Sequence, residues 1–96
     1  MIIKVKGYLT YRDLIGKREF ERPDDVRVTF LEFIRELAAE LGGEHGWALF
    51  DTETGTIGQS VAIMLNGVHY NHLPERINTV LKDQDEIAVF PPAAGG

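Results

Sequence analysis

The residues whose types and order could do chemistry stand together at the end of the chain: Phe90-Pro91-Pro92-Ala93-Ala94-Gly95-Gly96. Ala93 to Gly96 offer almost no side chain to bury, and glycine has the most backbone freedom to lose on ordering, so the segment is poor material for a packed terminus. It is a thin strip of backbone closing in a carboxylate, narrow enough to thread into the active site of another protein. Pro91 and Pro92 fix φ and stiffen its root, and from Pro91 to Gly96 the extended reach is about 20 Å. A frayed end is the plainer explanation of the same composition, and the rest of the chain decides between them. There is no cysteine, which removes disulfides, thiolate metal sites and a thioester or persulfide carried on a side chain. A sulfur or acyl group would have to ride on another atom, and the Gly96 carboxylate is the obvious one.

Other constellations are weaker. His45, His69 and His72 are the three histidines; the last two are three apart in a strand-to-loop region, a spacing not expected to put them on one face, so no metal site is expected. Gly16-Lys17 has only a superficial likeness to a phosphate loop, since Tyr11 stands where the first glycine belongs and Arg18 where Ser or Thr belongs. Asp51, Glu53 and Gly55 have the wrong spacing for a calcium loop and are expected to form a solvated turn. No serine–histidine pair or paired carboxylates stand out, so the chain is not expected to be an enzyme by itself.

The elements that would hold the tail can be traced from periodicity. Ile3 and Val5 alternate with Lys4 and Lys6, as in a half-buried strand. After a turn-like Asp13 to Gly16, Arg18 to Arg22 alternates again, which together reads as an antiparallel hairpin. Thr29 and Glu32 have capping-box spacing, and Phe30, Phe33, Ile34, Leu37, Ala38 and Leu41 form one apolar helical stripe, with Glu32, Arg35, Glu36 and Glu40 on the wet side. Gly42 and Gly43 supply a positive-φ stop. The pattern weakens from Glu44 to Ser60. Val61, Ile63 and Leu65 form a strand face, Asn66-Gly67 is a hairpin turn, and Val68-His69-Tyr70 is the returning strand. Leu73 to Leu81 is short and irregular, Lys82 to Asp85 a polar turn, and Glu86 to Phe90 the last strand. A helix with one apolar face needs a sheet to cover, which gives a two-layer α+β domain.

Ninety-six residues suit one domain, and 26% charged residues suit an ordinary globular one. A net charge of −5 disfavours nucleic acid and anionic membrane as partners. No apolar run approaches the ~20 residues of a membrane span, and the first residues lack a signal-peptide layout, so a cytoplasmic location is the expectation.

Three stretches carry a resemblance: Leu65-Asn66-Gly67, Leu81-Lys82-Asp83-Gln84-Asp85-Glu86, and Phe90 to Gly96 with its terminal glycine pair. In these the chain resembles the ubiquitin-like β-grasp sulfur carriers, among them the small subunit of molybdopterin synthase and the thiamin-pathway carrier. It departs at Gln84, where such families often have glycine, and in a longer Gly43 to Ser60 stretch. The resemblance implies a β-grasp domain over residues 1–90, a mixed sheet on one main helix at about 30–41, and a flexible tail over 91–96. It implies that the Gly96 carboxylate is adenylated by a ubiquitin-activating-type enzyme and converted to a thiocarboxylate with sulfur from a sulfur-donating enzyme. Phe90, Pro91, Pro92, Ala93, Ala94 and Gly95 would then contact the partner. ATP and Mg would be bound by that partner, no cofactor by this chain. The sulfur would serve molybdopterin synthesis, with a larger synthase subunit as a further partner, or thiamin, cysteine or tRNA thiolation. A modifier linked to lysines through Gly96 shares the chemistry up to the adenylate, and a plain interaction domain is the third alternative. An apolar sheet surface, with Ile63 or Met64 and Phe90 on it, is expected to dock the activating enzyme.

Overall fold

Alternation at the start of the chain becomes β1 (Ile2–Gly7), with Ile3, Val5 and Gly7 turned into the core. The computed structural model describes residues 1–92. β2 (Lys17–Glu21) pairs antiparallel with β1, from Ile2↔Glu21 to Lys6↔Lys17. The expected turn at Asp13 to Gly16 is only the end of the connection, because a short helix, α1 (Thr10–Leu14), precedes it. Tyr11 and Ile15, four residues apart and both buried, tie it to the core.

The main helix, α2 (Phe30–Leu41), starts at the expected capping box. Glu32 N–H donates to Thr29 Oγ1 at 3.2 Å and Thr29 N–H to Glu32 Oε1 at 3.3 Å, an arrangement whose loss typically costs about 1 kcal/mol. Phe30, Phe33, Ile34, Leu37 and Ala38 are buried, whereas Leu41 at the end of the stripe is half-buried. Gly42 and Gly43 take φ of 66° and 54° as expected. They stop α2 as a sharp corner, for α3 (Gly43–Leu49) begins at once. Its Gly46 lies against α2 so closely that a Cβ there would sit 2.2 Å from the Ala38 carbonyl oxygen.

The weakly patterned stretch then makes a small hairpin of its own, β3 (Phe50–Asp51) with β4 (Thr56–Ile57). The turn expected at Asp51 to Gly55 is present. Glu53 N–H donates to Asp51 Oδ1 at 2.8 Å, so that carboxylate serves the backbone of the turn. β5 (Ala62–Leu65) and β6 (Val68–His69) follow, joined by Asn66 and Gly67 at φ 51° and 83°. Positive φ at both positions is what a two-residue hairpin turn requires. Tyr70, expected in the returning strand, leaves it for a 3₁₀ turn over Tyr70–His72, and a second such turn covers Arg76–Asn78.

β7 (Glu86–Phe90) completes a five-stranded sheet of order β2-β1-β7-β5-β6. β7 runs parallel to β1 and antiparallel to β5 at the centre of the sheet. Buried Ile3, Val5, Ile63, Leu65, Ile87 and Val89 face the apolar stripe of α2. At about 1.5–3 kcal/mol for each large side chain taken out of water, this layer is the main force holding β7 in place. The result is the expected α+β architecture, a mixed sheet gripping one main helix as in ubiquitin-like β-grasp domains.

Candidate functional site at the end of the last strand

The candidate site is the place where the chain leaves the sheet. Val89 is flanked on both sides, opposite Gly7 of β1 and Ile63 of β5, and Phe90 still pairs with Ala62. Tyr8 N–H donates to the Val89 carbonyl at 3.0 Å, and the Tyr8 ring stacks on Phe90 with centroids 4.4 Å apart and planes 9° from parallel. Lys6 Nζ lies 4.9 Å from the Tyr8 ring centroid on the same outer face. Pro91 and Pro92 follow, and proline has no N–H to give a ladder. Two neighbours and an aromatic stack thus fix the chain up to Phe90, and the prolines end the pairing there. Ala93, Ala94, Gly95 and Gly96, which the sequence assigns the chemistry, lie outside the described residues.

The other end of β7 is held by side chains. Asn66 Oδ1 accepts from Glu86 N–H at 2.9 Å while its Nδ2 donates to Asp85 Oδ1 at 2.9 Å. Asp85 Oδ2 in turn accepts from Lys82 N–H at 2.8 Å. The Leu65-Asn66-Gly67 and Leu81-to-Glu86 motifs are therefore one hydrogen-bonded unit that locks the hairpin turn to the start of β7. Gln84 sits at φ 70°, which explains why glycine suits that position; its N–H donates to the Ile2 carbonyl at 2.7 Å. Beside it Asp83 Oδ1 accepts from Ile2 N–H at 2.7 Å, and that hydrogen bond holds the carboxyl below its ordinary range.

The outer face of the sheet corrects one expectation. Strand alternation turns Ile63 inward, fully buried opposite Val89, and leaves Met64 half-exposed. Ala62, Met64, Ala88 and Phe90 make the outward strip, with Lys4 and Lys6 beside it on β1. Tyr8, which completes the tail root, had no sequence signal beyond following a strand.

The histidines need a second correction. His69 caps the 3₁₀ turn, its Nδ1 accepting from Asn71 N–H at 3.2 Å. Residues three apart eclipse in that geometry, so His69 and His72 do meet, ring centroids 6.1 Å apart and edge to face. Among the described residues no three His, Cys, Asp or Glu side chains gather as a metal site would need. Gly16 and Lys17 stand at the start of β2, with no glycine-rich loop ahead of a helix. What the described residues supply is placement: a rigid root for a segment that leaves the sheet at its centre.

One main helix gripped by a mixed sheet with a parallel central pair defines a ubiquitin-like β-grasp domain. The chain belongs to the ThiS family, whose pattern it matches over residues 8–96. It is 31% identical over 96 residues to small archaeal modifier protein 3 of Haloferax volcanii, covering all of both chains. The solved structure of the Haloferax volcanii HVO 2177 protein is similar at TM-score 0.75 and 31% identity, over 100% of this chain and 87% of that one. A putative molybdopterin converting factor subunit 1 from Pyrococcus furiosus is similar at TM-score 0.54 and 26% identity, over 96% and 98% of the two chains. The protein is thus a small ubiquitin-like sulfur carrier or modifier, of a family generally without a catalytic site of its own. Among the described residues no helix is long and apolar enough to cross a membrane.

Proposed function

We propose that this protein is a sulfur carrier whose Gly96 carboxylate is activated by an adenylating partner and turned into a thiocarboxylate. A carboxylate is a poor electrophile until one oxygen becomes a leaving group. Attack of that oxygen on the α-phosphate of ATP, with release of pyrophosphate, gives an acyl-adenylate; hydrosulfide then adds to the carbonyl carbon and AMP leaves, giving the thiocarboxylate. ATP and Mg sit in the partner, which must close around the peptide to keep water from the adenylate. Glycine at 95 and 96 suits such a channel because no side chain widens the strip. The observation that carries the proposal is the root: a central strand clamped as far as Phe90, followed by two prolines, in a family whose pattern extends through Gly96.

The finer reading is that the sulfur goes to molybdopterin, which the likeness to a putative molybdopterin converting factor subunit supports. A second reading, a modifier joined to lysines through Gly96, is favoured by the higher identity to a protein named as a modifier. Both need Gly96. Deleting Gly96, or replacing Gly95 or Gly96 by valine, is expected to abolish adenylation, measured as pyrophosphate exchange with the activating enzyme. The melting temperature should hold, because the last ladder pair is Ala62↔Phe90. Adenylation of the shortened chain at the wild-type rate would overturn the proposal.

A further inference from the structure

Several features around the turn after β1 work against the stability of the free protein. Leu9 sits at φ 55°, ψ −121°, a backbone conformation that suits glycine and strains a bulky residue. Its side chain is nevertheless 70% exposed. Lys6 and Lys17 stand directly opposite one another in the β1–β2 ladder, where like charges repel. Arg12 lines the same shallow cleft as both lysines and Leu9. Among the described residues none of these three cations forms an ion pair, although the whole chain carries a net charge of −5. Strain, an exposed leucine and an unneutralised basic cluster in one place conflict with a surface shaped only for folding. A second molecule that brings carboxylates and an apolar contact would neutralise the cluster and cover the leucine, which the strained turn holds out toward solvent.

The cleft also lies beside the tail root. Tyr8, between Lys6 and Leu9, is the residue that stacks on Phe90 and hydrogen-bonds the Val89 carbonyl. A protein that contacts the tail root at Phe90 therefore meets Tyr8, a lining residue of the cleft and the chain neighbour of Leu9.

We propose that this cleft docks an acidic segment of the enzyme that activates the tail. Its carboxylates lie against Lys6, Arg12 and Lys17, and an apolar side chain covers Leu9. The proposal rests on the activated-tail reading above and adds to it what the partner must look like. In a chain of net charge −5, a cleft that gathers Lys6, Arg12 and Lys17 gives an acidic partner a local attraction that orients the encounter.

The test is the steady-state kinetics of tail adenylation by the activating enzyme, using the full chain and its Lys17→Glu and Leu9→Gly variants, with melting temperatures measured alongside. Lys17→Glu places a carboxylate opposite Lys6, and Leu9→Gly relieves the backbone strain, so neither variant should melt below wild type. The KM for this protein should nonetheless rise about ten-fold in Lys17→Glu and by about five-fold in Leu9→Gly, with kcat within about two-fold. Raising the salt should increase the wild-type KM more steeply than that of Lys17→Glu. Arg35→Glu, on the wet side of α2, should leave KM unchanged. Variants with wild-type KM, or with lowered kcat at wild-type KM, would overturn the docking proposal while leaving the activated tail intact. A wild-type chain that is never adenylated would overturn the activated-tail reading and the docking proposal with it.

Discussion

Gly46→Ala sets two known effects against each other. Alanine in place of glycine inside a helix ordinarily stabilises by about 1 kcal/mol. Here the new Cβ would lie 2.2 Å from the Ala38 carbonyl oxygen and 3.2 Å from its carbon, where ordinary contact begins at 3.4 Å. The obstructing atoms are the backbone of α2, whose Phe33, Ile34 and Leu37 are locked in the core, so α3 has to move by about 1 Å to relieve the overlap. That movement draws buried Leu49, the last residue of α3, out of its packing. Overpacking of this kind costs about 3 kcal/mol at the upper end of its usual range, which exceeds the helix gain and leaves a net loss of about 2 kcal/mol. For a domain of this size such a loss lowers the melting temperature by about 8–16 °C. Thermal unfolding followed by circular dichroism measures it. A variant melting at or above the wild-type temperature would mean that α3 does not pack on α2 through Gly46.

Two further predictions concern the clamp at the start of β7. Asn66→Asp keeps the acceptor for Glu86 N–H but loses the donor to Asp85 and puts two carboxylates about 2.9 Å apart. It is expected to destabilise by about 2 kcal/mol at pH 7 in urea titrations, with the deficit shrinking below about pH 4 as the pair shares a proton; a deficit unchanged by acid would refute the repulsion. Asp83, held below its ordinary range by Ile2 N–H, stabilises the fold fully above the unfolded carboxylate value, and that contribution is lost as pH falls through its lower folded value. Asp83→Asn should therefore show a flatter fall in stability below about pH 4 than wild type, and parallel acid limbs would refute the linkage.

The elements with strong local signals were legible in the sequence. The capping box and apolar stripe of α2 and the Asn66-Gly67 turn act within a few residues, so pattern alone places them. α3 was hidden because Gly43 and Gly46 lower helix propensity, and the reason for a glycine at 46, contact with Ala38, is tertiary. Alternation puts Ile63 and Met64 on opposite faces of β5, and which face is buried depends on the side that α2 covers, a tertiary fact. The meeting of His69 and His72 depended on a 3₁₀ turn that no strand pattern announces. The tail chemistry was legible as composition, whereas its root was not: the Tyr8–Phe90 stack joins residues 82 positions apart.

The proposed chemistry takes place at one group, the Gly96 carboxylate, and intact-mass spectrometry reads it there. The protein is incubated with its activating enzyme, ATP and a sulfur donor, then weighed whole and after digestion. The expected result is the mass gain of one oxygen replaced by sulfur, confined to the C-terminal peptide and absent from the chain lacking Gly96. ATP turnover that leaves the C-terminal peptide at its original mass, or sulfur found on any other peptide, would contradict it.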